Sequence, residues 1–515
     1  MIKRPIFKAH YQITRIPGEG VLLLSENDTR ALYGAIYEAI VPLLDGRDAD
    51  AVVDALATHI NPAKVYYALL LLEKKGYITE YSQDIAPATT AFWHGLDLEP
   101  TLPKDVQRRP VNLVALNPAF AEPFRIALAE LGIATDTAEK TGLDVVLTDD
   151  YLSPELSEYN RAALDRKSPW LLVKPSGHSI WLGSLFIPGT TACYQCLQPH
   201  LARNQIARRF AADKTGQTVM PALSIASLPT TLALAARLTA LEIAKFWHGY
   251  TDQKLTDHII SLDLACLATQ SHAFMRDPNC NCCGKPEPLS PPTPPQLLSR
   301  PATFVRDGGS RTVAAEATFR KYQHLISPIT GVVNILEPVR IESPAHVVIA
   351  GHNFALRMDT LDFLKHNLRY ASSGKGVSEI QARTSALCEA LERDAGLATG
   401  REYHITASYR DLRDDAIHPN ACMLYSDNQY KLRDVINAKG SKFNRVPEPF
   451  DDNYPLHWSP VWSLTEQRFK YLPSQFLYFK AKAADDDGTF YCQSCSNGNA
   501  SGNHLEEAVL QGVVV

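Results

Sequence analysis

The 515-residue sequence has no apolar segment that is long enough to cross a membrane or to direct secretion. Residues 1–15 mix charged and apolar side chains and lack the apolar core of a signal peptide. The longest uncharged stretch, residues 215–236, is interrupted by Pro221 and Pro229 and is rich in Ser and Thr. These absences predict a soluble, cytoplasmic protein without a membrane partner.

An excess of positive charge is also absent. The chain has 51 Lys and Arg residues against 56 Asp and Glu residues, which gives a formal net charge of −5 with His neutral. Proteins that bind nucleic acid usually present a basic field, so the composition argues against a nucleic-acid partner. Apolar residues make up 45% of the chain and charged residues 21%, which is typical of globular domains. The length predicts about three of them.

Cysteine is too sparse for a disulfide framework, with ten residues in the whole chain. Two Cys-x-x-Cys pairs, Cys193 with Cys196 and Cys280 with Cys283, nevertheless have the spacing of two knuckles that share one tetrahedral zinc ion. A closed four-cysteine site leaves no open coordination position, so the predicted role of the zinc is structural. Unligated core thiols are the alternative, and Cys282 could replace a neighbouring ligand.

The N-terminal segment has the pattern of a winged helix. Residues 10–24 are two β-prone runs around a Pro-Gly-Glu-Gly turn, which predicts a hairpin. Apolar residues at helical spacing then predict helices over 26–44, 49–60 and 62–75, and residues 76–80 a closing strand. Many such modules bind DNA, but this one is not notably basic. A peptide that adds a strand to the sheet edge is at least as good an interpretation.

Three further segments complete the predicted organisation. Residues 86–284 alternate β-branched runs with helical stretches, which predicts an α/β domain. Residues 285–301 contain seven prolines and are predicted to form an extended linker. Residues 302–515 mix strands with a helix over 378–398, so we expect a separate α+β domain there. With the winged-helix-like module at residues 1–85, the fold class is multidomain α/β and α+β.

The predicted helix of the last domain carries two acidic residues on one face. Ser385, Glu389 and Glu392 are separated by four and three positions, so they lie on the same side of a helix. Two neighbouring carboxylates repel each other unless a cation lies between them, and Mg²⁺ is a hard cation that also binds phosphate oxygens. Lys375 stands in a Ser-Gly-Lys-Gly run just before the helix. A solvated helix face and an ordinary turn lysine are the alternatives.

A second polar run lies close to the last residue of the sequence. Residues 496–503 are rich in Gly, Asn and Ser, and they place Asn503 and Glu507 at the start of a predicted helix. Free N–H groups and the helix dipole make such a terminus favourable for phosphate. A capped surface helix is the alternative.

Together these motifs resemble the ATP-binding signatures of the YcaO family. The matching runs are Ser-Gly-Lys-Gly at 373–376, Ser385-x3-Glu389-x2-Glu392-Arg393, and Ser-Gly-Asn-x3-Glu at 501–507. The middle segment resembles the ThiF-like domain of cyclodehydratase partner proteins. Beside the paired Cys-x-x-Cys motifs, that likeness rests on Asp149-Asp150-Tyr151, Pro169-Trp170-Leu171-Leu172 and Pro188-Gly189-x2-Ala192-Cys193. The N-terminal module resembles a RiPP recognition element, which binds the leader segment of a precursor peptide.

This order of segments resembles the fused heterocyclases of cyanobactin and related azoline-peptide pathways. The resemblance implies ATP-dependent cyclodehydration of Cys, with Ser and Thr left open, to thiazoline or oxazoline in a ribosomally made precursor peptide. ATP would phosphorylate the amide oxygen, so no covalent nucleophile is needed and no catalytic residue is assigned. The middle segment lacks the glycine loop of adenylating ThiF relatives and is expected to present substrate without activating it. A homodimer is one option that the resemblance suggests.

The resemblance also assigns site residues. It implies Mg²⁺ ligands at Glu389, Glu392 and Glu507, and contacts with ATP at Lys375, Ser385 and Asn503. The role of Arg393 stays open. The family's second Glu-x-x-Glu-Arg motif would begin at position 515, where this chain has Val515. We therefore expect an incomplete magnesium site with weak or absent ATP-dependent activity, and a non-catalytic leader-docking protein is the alternative.

Overall fold

The computed structural model describes most of the chain. The described residues are 2–82, 85–101, 110–135, 142–223, 226–250, 254–306, 309–342, 344–352, 360–367, 371–440, 445–481, 489, 491–492 and 494–514. Val515 lies outside them. The chain divides into two compact units: unit 1 comprises Met1–Leu113, Ala119–Leu143 and Pro229–Gln253, and unit 2 comprises Val114–Pro118, Asp144–Leu228 and Lys254–Val515. Among the described residues, no helix combines the length and the apolar character needed to cross a membrane.

The N-terminal part of unit 1 is a small α/β module. Its elements are β1 (Pro5–Phe7), β2 (Gln12–Ile16), β3 (Gly20–Leu24), β4 (Thr29–Tyr33), α1 (Ala35–Ile40), α2 (Ala49–Leu56), α3 (Pro62–Lys74), β5 (Ile78–Glu80) and α4 (Pro87–Gly95). Strands β2, β3 and β4 form an antiparallel sheet, and β1 pairs with β5. Leu23, Ile40, Val52 and Val65 are fully buried in one core. The predicted hairpin, the second and third helices and the closing strand are confirmed.

The helix predicted over residues 26–44 is wrong in its first half. Residues Thr29–Tyr33 form β4, and α1 begins only at Ala35. Leu32 is buried in β4 and would also face the core of a helix, so apolar spacing alone could not distinguish the two. Gly34, with φ at 111°, separates β4 from α1 in a conformation that favours glycine and interrupts a helix. Pairing with β3 satisfies the backbone groups on one side of β4, which no local pattern reveals.

The middle of the chain forms the predicted α/β sheet. Its elements are β6 (Val111–Ala115), α5 (Ala121–Glu130), β7 (Leu143–Leu147), α6 (Glu155–Arg166), β8 (Trp170–Lys174), β9 (Ser179–Phe186), α7 (Tyr194–Arg203), α8 (Ile206–Thr215), α9 (Pro229–Trp247), β10 (His258–Asp263) and β11 (Ala268–Ala273). The strand order is β11-β10-β9-β8-β7-β6. Strands β7 and β8 are parallel, whereas β8 to β11 continue antiparallel. All five residues of β7 are buried, as in a strand that is covered on both faces.

The last segment contains the predicted α+β fold. Its elements are β12 (Phe304–Arg306), β13 (Gly309–Arg311), α10 (Ala315–Tyr322), β14 (Ile335–Val339), β15 (His346–Gly351), α11 (Leu361–Asn367), β16 (Ala371–Gly376), α12 (Glu379–Ala395), β17 (Ile405–Ala407), α13 (Tyr409–Leu412), α14 (Pro419–Met423), α15 (Asp427–Lys431), α16 (Arg433–Ala438), β18 (Leu456–Ser463), β19 (Arg468–Pro473), α17 (Ser474–Leu477) and α18 (Leu505–Val514). The sheets are β12-β13, β14-β15-β16 and β17-β18-β19. Residues 285–302 before them contain no helix or strand.

Helix α12 packs unusually close to strand β16. Val348 and Ala350 of β15 form one buried cluster with Ala382 and Ala386 of α12. On β16, a Cβ atom added to Gly374 would lie 2.0 Å from the Ala382 carbonyl oxygen and 2.2 Å from the Ala386 nitrogen. Only glycine therefore allows this approach of strand and helix backbones.

We expect Gly374→Ala to lower the free energy of unfolding by about 1–3 kcal/mol, which is the usual cost of overpacking a close contact. Calorimetric unfolding should show this as a lower Tm. Gly95→Ala is the matched control, because a Cβ there has no neighbour nearer than 3.9 Å. Equal Tm values for the two variants would contradict the proposed constraint.

Candidate functional site

Four cysteine side chains meet in unit 2. The sulfur atoms of Cys193, Cys196, Cys280 and Cys283 all lie within 4.8 Å of one another. Cys193 Sγ is 4.0 Å from Cys196 Sγ and 3.7 Å from Cys280 Sγ, and Cys196 Sγ is 3.5 Å from Cys283 Sγ. Four thiolates at a Zn–S distance of about 2.3 Å in a tetrahedron are about 3.8 Å apart. The predicted four residues therefore fit a structural zinc ion.

The two knuckles supply hydrogen bonds to the sulfur atoms. Cys193 directly precedes α7, and Cys196 lies in its first turn. The backbone N–H of Asp277 donates to Cys196 Sγ, and that of Cys282 donates to Cys280 Sγ, both at 3.4 Å. The hydrogen bond with Cys193 lowers the pKa of Cys196; burial opposes this shift, and the Asp277 N–H adds to it. Such donors stabilise the thiolates that a metal ion requires.

Cys283 completes the four-sulfur group, whereas Cys282 lies outside it. Gly284 completes this knuckle, because its N–H donates to the Cys280 carbonyl oxygen at 2.8 Å. A Cβ atom at Gly284 would lie 2.3 Å from the Pro278 carbonyl oxygen. The glycine after the second pair therefore permits the turn that brings Cys280 and Cys283 together.

The two acidic residues of α12 share one arginine. Arg393 Nη2 donates to Glu389 Oε1 at 3.3 Å, and its Nη1 lies 3.6 Å from Glu392 Oε1. The backbone N–H of Ser373, on β16, donates to Glu389 Oε2, also at 3.3 Å. Burial raises the pKa of Glu392, and the charge of Glu389 adds to this rise, whereas Arg393 opposes it. The predicted acidic pair is therefore assembled, and one cation already compensates it.

Lys375 and Ser385 are both exposed. Lys375 lies in β16, where it pairs with Val347 of β15, and not in a turn. Ser373 and Lys375 alternate with the buried Ser372 and Gly374, so they lie on the exposed face of the strand.

Behind β16 lies a buried histidine. His352 is 4% exposed, and its Nε2 is 3.0 Å from Ser372 Oγ. Burial, and secondarily the charge of Arg393, lowers the pKa of His352 to about 4. The ring is therefore neutral at pH 7 and adds no charge to the acidic pair.

Asn503 and Glu507 form a second polar group at the start of α18. Glu507 Oε2 accepts the Asn503 N–H at 2.8 Å, and its Oε1 accepts the Thr312 hydroxyl at 2.7 Å. The hydroxyl of Thr318, on α10, donates to Asn503 Oδ1 at 2.9 Å. Burial acts to raise the pKa of Glu507, but the hydrogen bonds from Thr312 and Asn503 outweigh it and lower the pKa. Glu507 is thus held as a carboxylate.

The two predicted halves of the nucleotide site are not fused into one cluster. In the part of the chain that the structure describes, only the four cysteines form a group of three or more metal-ligating side chains within 4.8 Å. Helix α10 contacts both halves: its Ala315 carbonyl accepts from Thr384 of α12, and its Thr318 donates to Asn503. Neither Thr312 nor Thr318 belongs to a recognisable motif. Thr312 lies 195 positions from Glu507 in the sequence, so no local spacing links the two residues. Sequence reasoning missed them for that reason.

Comparison with known proteins identifies the family to which this chain belongs. The YcaO cyclodehydratase family, described as ATP- and Mg²⁺-binding, matches residues 373–514, and a winged helix-turn-helix domain matches residues 6–80. A solved heterocyclase in complex with substrate and cofactor is 36% identical, with a TM-score of 0.89 over 99% of this chain and 69% of that chain. The chain belongs to the YcaO heterocyclase family. The heterocyclase TruD is 33% identical, with a TM-score of 0.80 over 99% of this chain and 68% of its own.

Membership of the YcaO heterocyclases makes this chain an ATP-dependent cyclodehydratase of the azoline-forming type. The resemblance to the YcaO heterocyclases that the sequence motifs indicated is thereby confirmed, as is the multidomain α/β and α+β fold class with its winged helix and YcaO segment. Among curated proteins, none is significantly similar in sequence to the chain. The assignment of individual Mg²⁺ and ATP ligands stays a prediction.

We expect the purified heterocyclase to hold one zinc ion per chain. Cys280→Ser should weaken zinc binding by at least about 100-fold, because losing a direct ligand costs more than losing the residues that support one. Zinc content by elemental analysis and competition with a chelator measures the effect. Cys282→Ser is the control and should retain full zinc. If the serine at 282 releases the metal instead, the assignment of Cys283 as ligand is wrong.

Proposed function

We propose that this heterocyclase uses ATP and Mg²⁺ to convert Cys residues of a ribosomally made precursor peptide into thiazolines. Ser and Thr, which would give oxazolines, are the alternative substrates. The observation that carries the proposal is the acidic face of α12, where Glu389 and Glu392 share Arg393 directly beside the signature strand β16. Family membership supplies the reaction class.

The residues offer hard oxygen donors and cations that suit a magnesium–nucleotide complex. Glu389 and Glu392, with Glu507 from α18, would hold Mg²⁺. Ser385 is exposed on α12 and Lys375 is exposed on β16, and together with Asn503 they would contact the phosphates. Arg393 now compensates the two carboxylates of α12, so the arriving cations would release it to pair with phosphate oxygens.

The proposed chemistry is the one that the resemblance to the family implies. The substrate thiol forms an S–C bond to the preceding amide carbonyl, and the resulting oxygen must leave with a C–O bond broken. ATP supplies the phosphoryl group that turns this oxygen into a leaving group. The protein contributes by orienting the peptide and by placing positive charge where phosphate charge develops. The thiol loses its proton as the S–C bond forms, ATP is converted to ADP, and the oxygen leaves as inorganic phosphate while the amide nitrogen loses its proton to form C=N. The peptide thereby loses the elements of one water for each ring.

The winged-helix module is proposed to bind the leader segment of the precursor at the edge of its sheet. Strand β4 is terminal in the order β2-β3-β4, and only Leu32 of its five residues is buried. Tyr33 is 81% exposed at the end of this strand. An edge strand presents backbone groups that can pair with an added peptide strand. Residues 1–80 contain nine basic and ten acidic side chains, which favours a peptide over DNA.

The test is intact mass spectrometry of a Cys-containing precursor incubated with the protein, Mg²⁺ and ATP. We expect successive losses of water that require ATP and decrease when the leader is removed. Glu389→Gln and Glu392→Gln should each reduce ring formation by at least about 100-fold, because each removes a charge needed to hold the metal. Glu379→Gln is the control, since Glu379 lies on α12 but pairs with Arg383.

Leader binding, measured by fluorescence anisotropy, should be unchanged in all three variants, because β4 belongs to unit 1. An unaltered precursor mass with the leader still bound would contradict the proposed catalysis and favour a docking protein. Full activity of both acidic variants would instead refute the assigned metal ligands.

A further inference from the structure

Helix α7 connects the four-cysteine centre to the helix that carries the acidic pair. It starts directly after Cys193 and runs for ten residues to Arg203, a length of about 15 Å. At its far end, Arg203 Nη2 lies 3.3 Å from Asp394 Oδ1. Asp394 is the residue of α12 next to Arg393. One end of α7 therefore holds the metal site and the other end holds α12.

The knuckle itself makes a second connection. Arg401, which follows α12 in the chain, donates through Nη2 to the Asn279 carbonyl oxygen at 2.6 Å. Its Nη1 lies 3.8 Å from Asp277 Oδ1. Asp277 and Asn279 precede Cys280, and the N–H of Asp277 donates to Cys196 Sγ. The chain on both sides of the C-terminus of α12 is thus attached to the zinc-binding segment.

A third connection joins α7 to the loop before β14. His200 Nδ1 lies 3.1 Å from the Thr330 carbonyl oxygen, and Asn204 Nδ2 donates to the carbonyls of Ile329 and Gly331 at 3.0 and 3.1 Å. This loop leads to β14, which belongs to the same sheet as β16. Helix α7 therefore contacts both α12 and the loop that leads into the sheet of β16.

We propose that the four-cysteine centre, acting through α7 and the Arg203–Asp394 ion pair, positions α12 for nucleotide binding. Arg203 is a positioning residue in this arrangement. The inference rests on the proposed function, because it concerns the same acidic face. A zinc site that only stabilised the α/β sheet would need none of the three connections.

The Arg203–Asp394 ion pair is partly shielded from solvent. The two side chains are 30% and 27% exposed, so water screens the pair less than it screens a surface ion pair. Arg203 Nη1 is buried and has no hydrogen-bond partner among the described residues, which makes the guanidinium dependent on Asp394. Removing either partner leaves the other charge partly buried and uncompensated.

The first experiment compares Arg203→Gln with the unaltered protein. Hydrogen exchange of the backbone amides in residues 379–395 should increase, and affinity for a non-hydrolysable Mg²⁺–ATP analogue should fall about fivefold, the order expected for a residue that acts through a neighbour. Zinc content should stay at one per chain. Arg203→Lys keeps the charge and should recover most of both effects.

The control is Arg166→Gln, which removes another ion pair of the α/β segment, to Asp144 at 3.5 Å, without touching α12. The charge-swapped double variant Arg203→Asp with Asp394→Arg should restore exchange and affinity toward those of the unaltered protein. If Arg203→Gln acted only by destabilising the fold, the charge-swapped double variant would not restore hydrogen exchange or nucleotide affinity. Equal effects of Arg166→Gln and Arg203→Gln on residues 379–395 would overturn the inference.

Zinc removal by a chelator provides an independent arm. Exchange of residues 379–395 should rise when zinc leaves and return when zinc is added back. Unchanged exchange of α12 in the zinc-free protein or in Arg203→Gln would overturn the inference, whatever the nucleotide affinity. If exchange rises as expected but the unaltered protein binds no nucleotide, the positioning of α12 stands and the proposed ATP site is refuted.

Discussion

The close packing of α12 on β16 is the constraint on which the nucleotide face depends. Backbone atoms of Ala382 and Ala386 come so near Gly374 that no side chain fits between them. This approach carries the N–H of Ser373 within hydrogen-bond distance of Glu389. The signature strand and the acidic helix are therefore packed as one unit, and a shift in either element would separate the Ser373 N–H from the Glu389 carboxylate.

Charge interactions account for the contacts of the acidic residues on α12 and α18. Burial raises the pKa of Glu392 and the charge of Glu389 adds to that rise, so a nearby cation favours the ionised form of Glu392. Arg393 supplies it from the same helix. Glu507 is stabilised by another interaction, because Thr312 and Asn503 donate hydrogen bonds to its carboxylate oxygens. The two acidic groups are thus stabilised separately and are both linked to α10.

The four-cysteine centre has a comparable role in the segment before it. Two knuckles that lie far apart in sequence converge because α7 begins at one of them and a tight turn at Gly284 completes the other. The same elements contact the YcaO segment through Arg203, Asn204 and Arg401. The elements that carry the four cysteines are therefore also in contact with the helix of the acidic pair within unit 2.

The sequence by itself determined the two Cys-x-x-Cys pairs, the acidic pair and the family, because each is a short pattern of residue types at fixed spacing. It also determined that the segment at residues 285–302 forms no helix or strand, since proline excludes regular hydrogen bonding. It failed at Thr29–Tyr33, where pairing with β3 overrides helical spacing and only Gly34 signals the break.

Tertiary structure alone decided which of Cys282 and Cys283 completes the metal site, and that Arg393 is shared between two carboxylates. It alone brought Thr312 to Glu507 and Arg203 to Asp394. The physical reason is that these contacts join positions distant in the chain through packed helices and sheet, or depend on side-chain direction. Local residue patterns contain neither kind of information, since both are fixed only when the core closes.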